Sequence, residues 1–152
     1  MKRIVLAAAL STVAGSASAD VVAPSVTAAP RPTVSLGSVT AHAGPGVPAA
    51  DVEAVRRQTN RALSRRIGRI QRCLDRLDLR DDPLRSGDRS VTGTLVFARS
   101  GRPTLRAERS TRLPRAASSC VLMAVRSVAI RARPRGTVEV SFRFGLRARR
   151  AY

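Results

Sequence analysis

Read for polar and apolar alternation, the chain changes character at Asp51. From there Val52, Val55, Thr59, Leu63, Ile67, Ile70, Leu74 and Leu77 recur at spacings of three and four, the period of one helix face. The spacing predicts a helix over residues 52–79, with Asp51 as N-cap, Glu53 at its positive end, Gly68 as a weak point and Asp81-Asp82-Pro83 ending it. Ser90 to Ala98 switches to period two. Val91, Gly93, Leu95 and Phe97 share one face, and Thr92, Thr94 and Val96 the other. Arg99-Ser100-Gly101-Arg102 reads as a turn, and Thr104 to Arg109 as the returning strand of a hairpin. Ser110-Thr111 and Pro114 mark the start of a second helix that reaches about Val128 and buries Leu113, Ala117, Cys120, Ala124 and Val128. Val138, Val140, Phe142 and Phe144 then alternate with Glu139, Ser141 and Arg143 in a closing strand.

The expected fold is α+β: a three-stranded antiparallel sheet with two helices packed on one face, in the order α-β-β-α-β. It occupies residues 51–146. A short basic tail, 147–152, follows. Residues 20–50 contain Pro24, Pro30, Pro32, Pro45 and Pro48 among Ala, Ser, Thr and Val, with almost no charge. That composition predicts a disordered tether, and His42, the only histidine, falls inside it.

The first 19 residues have the layout of an export signal. Lys2 and Arg3 precede an apolar stretch, Ile4 to Gly15, and Ala17-Ser18-Ala19 offers small residues before Asp20. Cleavage after Ala19 would give a periplasmic or secreted protein; the competing reading keeps the segment as an anchor. The apolar run falls short of the roughly 20 residues that span a bilayer. Export gives the two cysteines their meaning, because an oxidising compartment favours a bridge. Cys73 lies at the edge of the first helix's apolar stripe and Cys120 on the buried face of the second. A Cys73–Cys120 disulfide is therefore expected, against the alternative of two inert buried thiols.

Formal net charge is +18, and Lys2 is the sole lysine, so nearly every cation is Arg. Coding bias in a GC-rich genome and selection for bidentate anion contact both produce that choice. Arg61, Arg65, Arg69, Arg72, Arg76 and Arg80 repeat every three to four residues and form a ridge opposite the apolar stripe. The ridge is either a solvated face or an anion-binding surface for lipid phosphates and acidic polysaccharides. With no Trp, one Tyr and three Phe assigned to strands, the chain lacks the stacking platform of single-strand nucleic-acid binders. Asp75, Asp78, Asp81 and Asp82 lack the loop motif of a calcium site and are expected to pair with Arg72, Arg76 or Arg85. No metal shell, cofactor motif or catalytic constellation emerges from the residues.

The run Ile70-Gln71-Arg72-Cys73, then Gly93-Thr94-Leu95-Val96-Phe97, Gly101, Leu113, Cys120-Val121 and the closing Pro134, Gly136, Val138, Val140, Phe142 and Phe144 resembles the AgmX/PglI-type C-terminal domain. That family is similar to the TonB C-terminal fold. The resemblance spans residues 52–146 and implies a non-catalytic envelope module that binds another protein. The sequence suggests strand addition as the mode, at an edge formed by Val138, Val140, Phe142 and Phe144.

Overall fold

The computed structural model describes residues 32–77 and 89–148. The expected signal and the first part of the tether lie outside the described residues, as do Arg80, Arg85, Asp78, Asp81 and Asp82 and the end of the basic tail. The element order is β1 (Pro32–Ala43), α1 (Ala49–Ser64), α2 (Ile67–Leu74), β2 (Arg89–Phe97), β3 (Pro103–Thr111), α3 (Arg115–Arg126) and β4 (Val138–Ala148). This is an α+β fold, and the expected order is retained behind one additional strand.

That strand corrects two expectations. Among the described residues the sheet has 4 strands, in the order β1-β4-β2-β3, not three. Residues 32–43, expected to be disordered, form β1 and pair antiparallel with β4 from Pro32↔Ala148 to Ala43↔Val138. The reason is a hydrophobic alternation with one slip. Val34 and Leu36 face the core, and so do Val39 and Ala41. Gly37 and Ser38 stand together opposite Arg143, a β-bulge that absorbs the extra residue and keeps both halves in phase. Glycine suits the site, since a Cβ at Gly37 would lie 3.2 Å from the Arg143 carbonyl oxygen.

β1 also removes β4 from the sheet edge. Val138, Val140, Phe142 and Phe144 lie in an interior strand, their side chains buried on the helix side. The expected docking edge is thus already occupied by the chain's own N-terminal segment. Arg147 and Ala148, expected in the tail, belong to β4.

The helix expected over 52–79 is broken at Arg65–Arg66, just before Gly68, into α1 and α2. The break lets Val55, Thr59 and Leu63 face the sheet from α1 while Ile70 and Leu74 do so from α2. Asp51 is not the N-cap; Pro48 is, and Asp51 sits in the first turn. Ser110 and Thr111 finish β3 and do not start the second helix, which begins after Pro114. The helices pack on one face, where Val55, Leu63, Ile70, Val121 and Val125 meet Val91, Leu95, Phe97, Val140 and Phe144 with no exposed surface. Phe142 and Phe144 touch edge to face at 5.8 Å between centroids.

Polar side chains on α1 fix the segment between α3 and β4. Gln58 Oε1 accepts the amides of Arg131 and Ala132, both at 2.9 Å. Asp51 accepts the amide of Arg135 at 3.1 Å. The β2–β3 turn docks on the same segment: the Ile130 amide donates to the Gly101 carbonyl at 3.0 Å. Gly101 has φ +67, and a Cβ there would stand 2.5 Å from the Ile130 carbonyl oxygen.

The disulfide expected from the sequence is present. Cys73 of α2 and Cys120 of α3 are bonded, with Cα atoms 5.8 Å apart and a sequence separation of 47. Closing a loop of that length contributes about 4 kcal/mol in the chain-entropy treatment.

Three outcomes follow for stability, each read by urea unfolding of the chain. Cys120→Ser lowers it by about 2–5 kcal/mol, and reductant has no further effect on that variant. Gly101→Ala lowers it by about 1–3 kcal/mol, since the positive φ and the Ile130 carbonyl both oppose a methyl group. Thr59→Val raises it by about 1 kcal/mol, because the Thr59 hydroxyl is fully buried on α1 without a hydrogen-bond partner among the described residues.

Candidate functional site

Helical periodicity predicts the arginine ridge, and the break between α1 and α2 leaves it intact as a surface. Arg61 and Arg65 lie at the end of α1, and Arg69, Arg72 and Arg76 along or just beyond α2; all five are exposed. None has a carboxylate within ion-pair distance among the described residues. Asp75 does not pair with Arg72 or Arg76 as expected; it accepts from Gln71 Nε2 at 2.9 Å. Arg80, the last member of the predicted ridge, lies outside the described residues.

Gln71 does more than hold Asp75. Its amide nitrogen donates to the Pro32 carbonyl at 2.6 Å, and its Oε1 accepts the Val34 amide at 3.2 Å. It therefore caps the outer edge of β1 as a neighbouring strand would. Antiparallel pairing alternates, so every second residue turns its backbone groups away from its partner. The Gly44 amide bonds to the Thr137 carbonyl at 2.8 Å, which sets the phase after the bulge. Thr40 and His42 then pair with β4 while Val39, Ala41 and Ala43 present their amides and carbonyls outward. This outward row was not foreseen, because low-charge composition outweighed alternation in reading residues 32–43. The signal that would have found it is the pair of apolar steps, Val34-Leu36 and Val39-Ala41, separated by Gly37-Ser38.

The two sheet edges differ. β3 carries Pro103, Glu108 and Arg109, and it bulges at Arg106, which forms an ion pair with Glu139 of β4. Charge, proline and a bulge are the usual protections of an open edge. β1 has a bulge but no charged side chain along its 12 residues. His42 lies opposite Glu139 in the register, exposed.

Acidic side chains serve the fold. The Arg135 backbone amide beside Asp51, together with the Arg135 side chain, holds this carboxyl below its ordinary value of 3.8 against a smaller opposing effect of desolvation. Glu53 is lowered chiefly by its paired hydrogen bonds with Arg56, both at 2.8 Å, and Arg56 is raised by the same contact. Among the described residues no three His, Cys, Asp or Glu side chains gather in a way that could hold a metal ion. Among the same residues no helix is long and apolar enough to cross a membrane.

Compared with protein-family models, curated proteins and solved structures, the chain has no match.

The lowered Asp51 carboxyl fixes the direction of a pH effect. An acid whose folded pKa is depressed stabilises fully above its unfolded value, and that stabilisation disappears as pH falls through the folded value. Acidification from pH 6 to below the ordinary carboxylate range should lower the urea midpoint of the parent chain. Asp51→Asn should lose less over the same range.

Proposed function

We propose that the chain is an exported, non-catalytic envelope module that binds a partner protein by adding the partner's extended segment to its sheet. The TonB-like and AgmX/PglI-like resemblance of residues 52–146 points to the same class of activity. The observation that carries the reading is the outward row of backbone groups at Val39, Ala41 and Ala43, on an edge without charged side chains. An extended peptide takes its affinity from such a row and its specificity from alternate side chains. The docking edge is the outer side of β1, one strand beyond the β4 edge that the sequence suggested.

The second reading is polyanion binding through Arg61, Arg65, Arg69, Arg72 and Arg76, favoured by their exposure and by the absence of carboxylate partners among the described residues. The two differ physically. Proline at position 41 removes an outward amide and leaves the β1–β4 hydrogen bonds in place, whereas proline at position 40 breaks that ladder. Polyanion binding falls steeply with salt as counterions are released.

Photocrosslinking from position 43 in envelope fractions tests the proposal. Ala41→Pro should keep the circular dichroism and thermal midpoint close to the parent and lose the crosslinked adduct; Thr40→Pro should unfold more readily. An adduct that persists in Ala41→Pro but vanishes with added salt or with Arg65→Gln would favour the polyanion reading. The mass of the exported chain gives the signal outcome: a start at Asp20 is expected.

A further inference from the structure

Among the described residues, the three helices pack against one face of the sheet and the other face lies open. Register fixes what it shows. Crossing from β1 to β3, one row runs through Thr40, Ser141 and Thr94; the next runs from the bulge at Ser38 through Arg143 and Thr92 to Arg109. Ser38, Thr40, Thr92, Arg109, Ser141 and Arg143 line a trough of about 390 Å³ along these rows. We propose that this trough is a binding site for a phosphomonoester carried on a small polyhydroxylated molecule.

The charge arrangement points to that chemistry. Arg143 and Arg109 are the cross-strand neighbours of Thr92 on its two sides. Cross-strand Cβ atoms stand about 4.5–5.5 Å apart, so two long side chains rise from either side of one threonine and can close on a common oxyanion. Both are exposed, and neither has an ion-pair partner among the described residues. Two carboxylates lie nearby and both face an arginine of their own. Glu139 is engaged by Arg106. Glu108 lines the trough but its carboxylate lies 4.0 Å from Arg126 of α3. The trough is therefore left with two guanidinium groups, matching the charge of about −1.5 to −2 on a phosphomonoester at neutral pH. A carboxylate or a phosphodiester would balance only one of them. Planar guanidinium groups suit the oxygens of phosphate in bidentate contact.

The hydroxyl row supplies the second half of the argument. Thr94 and Ser141 share a hydrogen bond at 3.3 Å across the two central strands, and Thr40 continues the row onto β1. These groups donate and accept, which suits ligand hydroxyls. The trough's one aromatic residue, Phe142, turns its ring into the core at 2 % exposure, so no platform exists for stacking a base. A sugar or polyol phosphate fits these donors; a nucleotide would leave its base unsupported. The trough borders the β1 edge, sharing Ser38 and Thr40 with that strand, but it uses side chains on the open face and not the outward backbone groups, so it does not depend on the reading proposed above.

The test is titration of the mature chain at low salt with glucose 6-phosphate and with inorganic phosphate, followed by amide shifts in the NMR spectrum. The expected result is saturable binding centred on Thr92, Arg109 and Arg143. Arg109→Gln and Arg143→Gln should each weaken glucose 6-phosphate by about tenfold or more, while Arg65→Gln on the ridge leaves it unchanged. Thr92→Val, with the charge kept, should weaken it less than either. Vesicles containing phosphatidic acid or phosphatidylglycerol separate the sources: binding to phosphatidic acid alone, lost in Arg143→Gln, assigns the site to a lipid phosphomonoester. Equal losses in Arg65→Gln and Arg143→Gln, or shifts that never saturate, would show diffuse attraction to a basic surface and overturn the proposal.

Discussion

The pairing of β4 on both sides is the constraint on which this molecule depends. Val138, Val140, Phe142, Phe144 and Leu146 all turn toward the helices, and each is 2 % exposed or less. No other strand supplies so continuous an apolar face. β2 docks on one flank and β1 on the other, so strands distant in the chain meet on β4. With only 3 % aromatic residues, the chain has few large side chains with which to compensate a gap in this row. The loss of a well-buried phenylalanine in such a place costs about 3–5 kcal/mol, a large share of the stability of a small domain.

The same scarcity gives the Cys73–Cys120 bridge its place. α2 is short and buries only Ile70 and Leu74, too little to hold a helix of eight residues by packing alone. The bond ties it to α3, which has a fuller apolar face. Gln71 anchors the other side of α2 to the start of β1. One helix is thus attached covalently on one side and by an amide on the other. Arg65 and Arg69 consequently stand on a firm base, although their side chains form no ion pair among the described residues.

Much of this was legible in the sequence. The hairpin, the closing strand and both helical regions follow from periods of two and of three to four. The bridge follows from the expectation of an export signal together with the wheel position of Cys73. Three features were not legible, for separable reasons. β1 was hidden because alanine, serine and proline signal disorder when counted, whereas position-by-position alternation with a one-residue slip signals a strand. The break at Arg65–Arg66 was hidden because the apolar period runs through it unchanged; only packing against two parts of the sheet requires the turn. The open-face trough was hidden because Thr92, Arg109 and Arg143 come from three strands and meet only through register. Asp51 was misread for a related reason: its partner, Arg135, arrives from a segment 84 residues away.

The bulge at Gly37–Ser38 has a consequence for molecules crowded together in one compartment. A regular strand with no charge on its rim would offer each copy a straight template for the next, and stacking of sheets could propagate without end. One surplus residue twists that rim and interrupts its spacing, so two identical rims cannot zip along their full length. A short, flexible visitor can still fit the straight half beyond the bulge. On the proposed strand-addition reading, the kink thereby discriminates by stiffness and length, in favour of a peptide and against a sibling.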